Sequence, residues 1–273
     1  WGWKAAFGVV GVPGLVLAVL YLFVRDYKTA ALTPKQGQVA QSLGGTLKHI
    51  FGTMARARTL LWVCVGGALQ LITLSAVWAW LPSYLNRFHG MTPEAAGKQT
   101  AVVILAGAFG CVFWGFVVDR LALRKPRNKL PLLSVLCVLT SVIFMVAFGG
   151  TYTGDAQFTL IVLGGFFLTC TPGVGAGIVI DVVHPGVRST GAAVLTLFQN
   201  LFGLAVGPFL AGVLSDQWGL RQALAVTSLF STLAAVVYVI AMCSYDADVA
   251  QISDVKLDVA PPLTGNLSAS TAV

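Results

Sequence analysis

Charge is what this sequence has little of. Asp, Glu, Lys and Arg make up 10% of its 273 residues, while hydrophobic residues make up 57%. Ordinary soluble domains have roughly a quarter of their residues charged, so the composition excludes such a domain and favours a chain surrounded by lipid. The net charge of +7 does not indicate nucleic-acid binding, because the basic residues lie in a few connectors between apolar runs and form no basic face.

Clusters of reactive side chains are also lacking. The five cysteines form no C-x-x-C pair, and no histidine stands at metal-ligand spacing from them. The apolar runs contain no Asp, Glu, Lys or Arg, whereas a membrane-embedded enzyme needs a nucleophile with its base, or paired carboxylates, at that depth. The sequence therefore predicts no enzyme, no metal and no cofactor. Its first residue is Trp1 and not Met, so we expect a piece of a longer protein.

Long apolar runs dominate what is present. A bilayer-spanning helix needs about 20 mostly apolar residues, and seven runs reach roughly this length. They are Ala5 to Val24, Thr59 to Leu81, Gln99 to Val118, Leu130 to Phe148, Phe158 to Ile180, Ala192 to Leu214 and Gln222 to Cys243. We predict an all-α membrane protein with seven transmembrane helices.

Basic residues are distributed unequally between alternate connectors. If the connector 25–58 is cytoplasmic, cytoplasmic segments hold thirteen of the seventeen Lys and Arg, and the other side holds only Lys4, Arg87, Lys98 and Arg221. Cytoplasmic loops of membrane proteins carry such an excess. We therefore predict that the C-terminus is cytoplasmic. We expect an integral protein of the bacterial inner (plasma) membrane.

The connectors divide the chain into four parts. Residues 1–24 are predicted to be one transmembrane helix, 25–58 a cytoplasmic linker, 59–243 a six-helix bundle, and 244–273 a disordered cytoplasmic tail. In the linker, apolar residues from Leu43 to Met54 recur at helical spacing beside basic residues, which indicates an amphipathic helix. That helix lies either on an anionic leaflet or against the bundle.

One short sequence frame occurs twice. In the segment Gly115 to Lys129, an Asp follows the Gly by four residues and an Arg by nine, and Gly212, Asp216 and Arg221 repeat this spacing. Three apolar runs separate the copies, so they should lie at opposite membrane surfaces. Transporter halves are built from two such three-helix units of inverted topology. We therefore predict that the last six helices form a 3+3 inverted repeat.

A few amides lie within the spans. Gln70 is near the midpoint of the second run, and Gln199 and Asn200 are adjacent in the sixth. An amide at the bilayer centre is costly without a partner, so Gln70 should face the bundle interior. Adjacent helical positions point about 100° apart, so one of Gln199 and Asn200 can face a cavity while the other bonds a neighbouring helix.

Two stretches are rich in helix-breaking or small residues. Pro172 and the glycines up to Gly177 interrupt the fifth run, which indicates either a hinge lining a site or close packing through small residues. Gly203 and Gly207 form a G-x-x-x-G pattern, which is typical of a helix-packing face.

The frame after Gly115, read as G-x-x-x-D-R-x-x-x-R-K, resembles the loop signature of the major facilitator superfamily of secondary transporters, although Ala122 stands where that signature usually has Gly. Trp1 to Phe7 looks like the sixth helix of superfamily members. Trp80 to Leu85 and Gln199 to Gly203 are similar to the spinster-like carriers and, less specifically, to organic-anion and sugar-acid symporters. The resemblance covers nearly the whole chain and implies helices six to twelve of a twelve-helix carrier, with the N-terminal half as partner.

The resemblance implies alternating access, with a small organic solute such as an organic anion, a metabolite or a lipid-like molecule bound between the halves, and a proton as a candidate coupling ion. The candidate substrate-binding residues are Gln70, Trp80, Gln199 and Asn200. The candidate gating residues are Asp119, Arg120, Arg124, Asp216 and Arg221. From the residues alone, Asp119 is either a gate or a topological anchor. The alternative functions are a multidrug-type efflux carrier and, less favoured, a seven-helix receptor or a pore.

Overall fold

The computed structural model describes residues 3–24, 57–152, 154–183 and 188–253, and the regular structure in these ranges is helical. The first helix, α1 (Trp3–Tyr21), belongs to a unit of its own and has Pro13 in its interior. Its apolar stretch Phe7–Tyr21 is shorter than the other candidate spans. A total of seven spans therefore stays a prediction.

Within the described ranges, six further helices are long and apolar enough to cross a membrane. They are α2 (Arg58–His89), α3 (Pro93–Ala122), α4 (Lys129–Gly149), α5 (Gly154–Leu168 and then Thr171–Val182), α6 (Arg188–Phe198, Gln199–Leu204 and Val206–Trp218) and α7 (Leu220–Thr227 and then Leu229–Ser253). They coincide with the last six predicted runs, so the all-helical membrane fold is confirmed.

Local sequence explains how the chain turns between α2 and α3. Gly90 ends α2 in the left-handed region at φ 63°, which a residue without a Cβ adopts at low cost. Thr92 then caps α3, because its Oγ1 accepts the Ala95 N–H at 3.3 Å, and Pro93 occupies the first helical position. The two helices are therefore antiparallel neighbours.

Contacts at the helix ends define the direction of each span. Arg127, between α3 and α4, pairs with Asp246 near the end of α7, and Lys129 pairs with Asp181 near the end of α5. We call this the basic end. Arg221, at the start of α7, bonds carbonyls at the end of α4, which is the opposite end. Asp119 ends α3 at the basic end and Asp216 ends α6 at the opposite end, as the inverted repeat requires.

Helix α2 is the centre of this bundle. Of its most apolar stretch 78% is buried, against 22% for α3 and for α6. Lipid tails are as apolar as leucine side chains, so helices in a membrane associate through close packing and interhelical hydrogen bonds. Both occur here: a Cβ on Gly207 of α6 would overlap Ser75 of α2, and the Ser75 hydroxyl donates to the Gly203 carbonyl at 3.2 Å. The predicted G-x-x-x-G packing face is thus observed.

The C-terminal boundary differs from the predicted one. The last helix continues to Ser253, so residues 244–253 are helical and not part of a disordered tail. Their charges have partners that the sequence does not show: Asp246 pairs with Arg127, and Asp248 accepts the Thr59 N–H at 2.7 Å. The predicted linker helix between Leu43 and Met54 and the rest of the predicted tail lie outside the described residues.

Candidate functional site

The fifth helix is broken where the sequence places Pro172. Its two segments end at Leu168 and begin at Thr171. In a continuous helix the N–H of residue 172 would donate to the Leu168 carbonyl, but proline has no N–H. The freed carbonyl instead accepts the Gln70 side-chain amide at 3.1 Å. A donor from α2 therefore completes the hydrogen bonding of the α5 break.

Gln70 lies in the bundle interior, as its mid-span position predicts. Its side chain is fully buried. Its Oε1 has no hydrogen-bond partner among the described residues. The buried, carbonyl-bound amide is placed to hold the α5 break, while its contact with a solute stays a prediction.

The sixth helix contains a π-helical turn, Gln199–Leu204. The Ala205 N–H donates to the Asn200 carbonyl, five residues back, at 3.0 Å. Such turns insert one extra residue per turn and often mark functional sites. Pro208, which cannot donate to the Leu204 carbonyl, follows it closely.

The two adjacent amides of this π turn point to different surroundings. Gln199 is buried and packs so closely on α2 that a Cβ on Gly67 would lie 2.5 Å from its Nε2. Asn200 is exposed, and its Nδ2 donates to the Thr196 carbonyl at 2.8 Å. Its Oδ1 has no recorded partner in the part of the chain that the structure describes. The two side chains thus differ in burial, while the prediction that one faces a cavity and the other bonds a neighbouring helix stays a prediction.

Trp80 connects α2 with α6 near the opposite end. Its indole N–H donates to the Pro208 carbonyl at 3.0 Å, and its ring lies against Gly212. Trp80 is partly exposed, so the ring edge is accessible although the polar atom is engaged. It is better placed to hold the segment Val206–Trp218, which follows the π turn, than to hydrogen-bond a solute.

An aromatic surface on α3 and α5 was missed by sequence reasoning. Phe109 and Phe113 are one helical turn apart on α3, and both contact Phe166 of α5, with ring centroids 6.0 and 5.4 Å away. The Trp114 ring is also 5.4 Å from Phe166. Phe109 and Phe113 are 66% and 40% exposed. The spacing of the phenylalanines along α3 was the available signal, but it does not show which helix lies beside it.

Close backbone approach builds this surface. A Cβ on Gly110 would overlap the Phe166 carbonyl, so α3 can lie against α5 only because residue 110 is glycine. The Thr169 hydroxyl, in the α5 break, donates to the Gly107 carbonyl at 2.5 Å. The α5 break is therefore bonded to α3 as well as to α2.

The predicted gating residues at the basic end are exposed. Asp119, Arg120 and Arg124 are all on the surface, and none forms an ion pair within the described ranges. The observed ion pairs use their sequence neighbours. Arg127 pairs with Asp246 at 2.6 Å, and Lys129 with Asp181 at 2.7 Å.

Among the described carboxylates at the basic end, Asp181 has the most side-chain partners. Its Oδ2 accepts both the Lys129 ammonium and the Tyr245 hydroxyl, the latter at 3.1 Å. These contacts join α4, α5 and α7, and both members of the ion pair are mostly covered, with 14% and 27% of their side chains exposed. The sequence shows Asp181 but not its partners.

At the opposite end the two predicted gating residues differ. Arg221 donates through Nε to the Phe148 carbonyl at 2.8 Å and through its terminal nitrogen to the Gly150 carbonyl. A cation that bonds the last carbonyls of a helix stabilises that end, so Arg221 caps α4. Asp216 is exposed. Their gating roles stay predictions.

Comparison with known proteins gives one family. The sequence pattern described as Major Facilitator Superfamily matches residues 1–203. The chain is 29% identical over 220 residues to an MFS-type efflux pump of Mycolicibacterium smegmatis, covering 79% of this chain and 48% of the pump. It is 25% identical over 222 residues to the hexuronate transporter of Bacillus subtilis, covering 80% of this chain and 52% of the transporter. The chain thus spans about half the length of these relatives, which are transporters and not enzymes.

Solved structures agree on the fold. A bacterial homolog of the human lysosomal transporter Spinster, in an inward-facing and unoccupied conformation, superimposes with a TM-score of 0.69 at 22% identity, covering 90% of this chain and 60% of that one. The Escherichia coli fucose:proton symporter gives 0.63 at 16% identity, covering 87% and 55%. These structures show the fold, and the match of the family pattern over residues 1–203 shows that this chain belongs to the major facilitator superfamily.

Proposed function

We propose that these residues are the C-terminal portion of a secondary active carrier that moves a small organic solute across a membrane by alternating access. The solute binds between this bundle and an N-terminal half of the same carrier. The proposal is supported by the family, by the inverted arrangement of the six helices, and by the transport activities in the names of relatives that are about twice as long.

The observation that carries the proposal is the exposed amide of Asn200. It lies near the middle of the span Arg188–Trp218, where hydrocarbon would surround a lipid-facing residue. An amide with an unpaired oxygen is costly in hydrocarbon. The surface around Asn200 therefore faces a polar cavity or another protein segment, and in this family a central cavity between halves provides that environment.

The described spans restrict what this half contributes to binding. They contain no Asp, Glu, Lys or Arg in their apolar interiors, so Asn200 offers hydrogen bonds without a countercharge. If the solute is an organic anion, the residues that bind its charge and any coupling proton lie in the other half. Gln70, Gln199 and Trp80 act behind the surface by holding in place the α5 break, the π turn and the α6 segment that follows this turn, respectively.

We assign gating to exposed charged residues at the two ends of the bundle. Asp119, Arg120 and Arg124 have no ion-pair partners among the described residues and meet the other half when the basic end closes. Asp216 acts in the same way at the opposite end, with Arg221 fixing the adjacent end of α4. The excess of Lys and Arg supports a cytoplasmic basic end, and with it a cytoplasmic C-terminus. The membrane in this proposal is the plasma membrane.

Counterflow into liposomes tests the proposal. The full-length protein is reconstituted with a saturating internal solute, and entry of labelled glucuronate, cis,cis-muconate or sulfoacetate is measured. A carrier gives a transient overshoot of at least one label, which a pore cannot give. Asn200→Ala should reduce the initial rate several-fold, whereas Gln217→Ala, which removes another exposed amide of α6, should not. Equal rates for both variants would remove Asn200 from the site.

A multidrug-type efflux carrier is the second candidate, and the aromatic surface favours it. Exposed phenylalanine rings beside the partly buried Trp114 suit a planar apolar solute better than a sugar acid. With an ion gradient imposed across the same liposomes, uphill transport of a cationic dye that falls in Phe109→Ala, with no overshoot of any organic acid, would establish this candidate instead.

A further inference from the structure

A second concave site lies at the basic end, away from the mid-span amide. It is a cavity of about 630 Å³ between the α3–α4 connection, the end of α5, the start of α6 and the end of α7. Its basic lining residues are Arg124, Lys125, Arg127 and Arg188, and its acidic ones are Asp181 and Asp246. Sites for small ligands have volumes of roughly 300–1,000 Å³, so this cavity is large enough to hold one.

The carboxylates of the cavity are already neutralised. Asp246 pairs with Arg127 at 2.6 Å, and Asp181 accepts from Lys129 at 2.7 Å and from the Tyr245 hydroxyl at 3.1 Å. Three cations remain without a carboxylate partner among the described residues, namely Arg124, Lys125 and Arg188. Their charges converge on one concave surface, and this arrangement favours an anion.

The position of Arg188 at a helix N-terminus also favours an anion in the cavity. It is the first residue of an 11-residue helical segment whose first turn contains no acidic residue. The N-terminus of a helix carries a partial positive charge and free N–H groups, so a cation there is unfavourable and an anion favourable. An anion in the cavity would compensate both the helix end and the guanidinium group.

The surroundings indicate an amphipathic anion. The cavity lies at the ends of apolar helices, where a membrane meets water. Val249 lines it, and Leu121 and Leu123, next to Arg124 in sequence, are 57% and 72% exposed. Clusters of basic residues at the cytoplasmic ends of membrane helices attract anionic headgroups. A phosphate held by the cations would leave acyl chains beside exposed leucines.

We propose that this cavity binds the phosphate group of an anionic phospholipid. Lys125 and Arg188 contact the phosphate oxygens, while the pairs Arg127–Asp246 and Lys129–Asp181 shape the wall. A soluble phosphate compound has the same headgroup chemistry and lacks only the acyl chains, so the two sources are separated by the test. The proposal rests on the cytoplasmic basic end of the proposed function, but it does not depend on which solute the carrier moves.

Native mass spectrometry of the full-length protein in detergent tests the site. Phosphatidylglycerol and phosphatidylcholine are titrated separately, and glycerol 3-phosphate serves as the soluble probe. We expect one phosphatidylglycerol to bind at least tenfold more tightly than phosphatidylcholine. Lys125→Gln with Arg188→Gln should weaken that binding by roughly tenfold or more, given the contribution of each cation near an anionic headgroup. The matched double variant Arg87→Gln with Lys98→Gln, at the opposite end, should bind like the unchanged protein.

Each other outcome overturns the proposal. Equal phosphatidylglycerol affinity in the cavity variant and its control would show that the lipid binds elsewhere. Glycerol 3-phosphate that binds as tightly as phosphatidylglycerol would assign the cavity to a soluble anion. Lys125 lies in an exposed connection, so Lys125→Gln alone is not expected to impair folding. This single variant should lose a smaller part of the affinity for phosphatidylglycerol. No loss in that variant would likewise contradict the assignment.

Discussion

Gln70 and Pro172 should be energetically coupled, because one supplies the hydrogen bond that the other removes. Pro172 has no N–H for the Leu168 carbonyl, and the Gln70 amide donates to it at 3.1 Å. Gln70→Met keeps the length of the side chain and removes the donor, which leaves a buried carbonyl unpaired. Pro172→Ala restores an N–H four residues after Leu168, so the same Gln70→Met change should then cost much less.

The magnitude follows from one interhelical hydrogen bond. Such bonds in membrane proteins contribute about 0.6 kcal/mol on average and about 1.7 at most, and an unpaired buried carbonyl costs roughly 1–3 kcal/mol. We expect Gln70→Met to destabilise the protein by about 1 kcal/mol, a decrease in Tm of roughly 2–4 °C for a bundle of this size. In the Pro172→Ala background the change should cost nothing or stabilise the protein, because methionine also removes the unpartnered Oε1 of Gln70.

Thermal unfolding of the four proteins in detergent gives the coupling energy directly. Gln99→Met is the control, because Gln99 is a partly buried amide on α3 with no hydrogen bond to the α5 break. Its effect on Tm should be the same with and without the Pro172→Ala change. An equal cost of Gln70→Met in both backgrounds would refute the reasoning. So would a loss of solute affinity without any loss of stability, which would make Gln70 a binding residue as the sequence predicts.

Three further predictions concern packing, ion pairing and gating. Gly207→Ala should destabilise the protein by roughly 1–3 kcal/mol, since its Cβ would overlap α2, whereas Gly115→Ala, with open space around it, should change Tm little; equal shifts would contradict the packing. Lys129→Met should lower the free energy of unfolding by roughly 1–3 kcal/mol, between the values for exposed and buried ion pairs. Arg127→Met should lower it by at most about 1 kcal/mol, because its pair is more exposed. Thermal unfolding that ranks the two variants in reverse would contradict this order. Asp119→Asn should alter alkylation of cysteines introduced at each end of the bundle, and identical labelling would count against a gate.

The bundle was predictable because length and hydropathy define the spans. The helices nevertheless extend past the apolar runs, as α2 does from Leu81 to His89. Its Pro82 does not end the helix, and aromatic residues such as Tyr84 continue to pack in the interior. A run of apolar residues shows how much chain lies in lipid, while the helix end depends on where its last carbonyls find donors or water.

The site was predictable only in part. Helix geometry predicts that Gln199 and Asn200 point in different directions, and the structure has Gln199 buried and Asn200 exposed. The donor to Leu168 could not be assigned to Gln70, because Pro172 shows that a donor is missing without showing which helix supplies it. The pair Arg127–Asp246 joins residues far apart in sequence. It was not predicted, because residues 244–273 were expected to be disordered. Contacts of this kind depend on packing that no periodicity encodes.

Position 200 gives the most direct test of the alternating-access account. In the full-length protein without its native cysteines, Asn200→Cys is treated with a membrane-impermeant maleimide in right-side-out and in inverted vesicles. The account predicts modification from either side in vesicles that do not admit the reagent, and less modification when a transported solute is present. Modification from one side only, or none in either orientation, would contradict it.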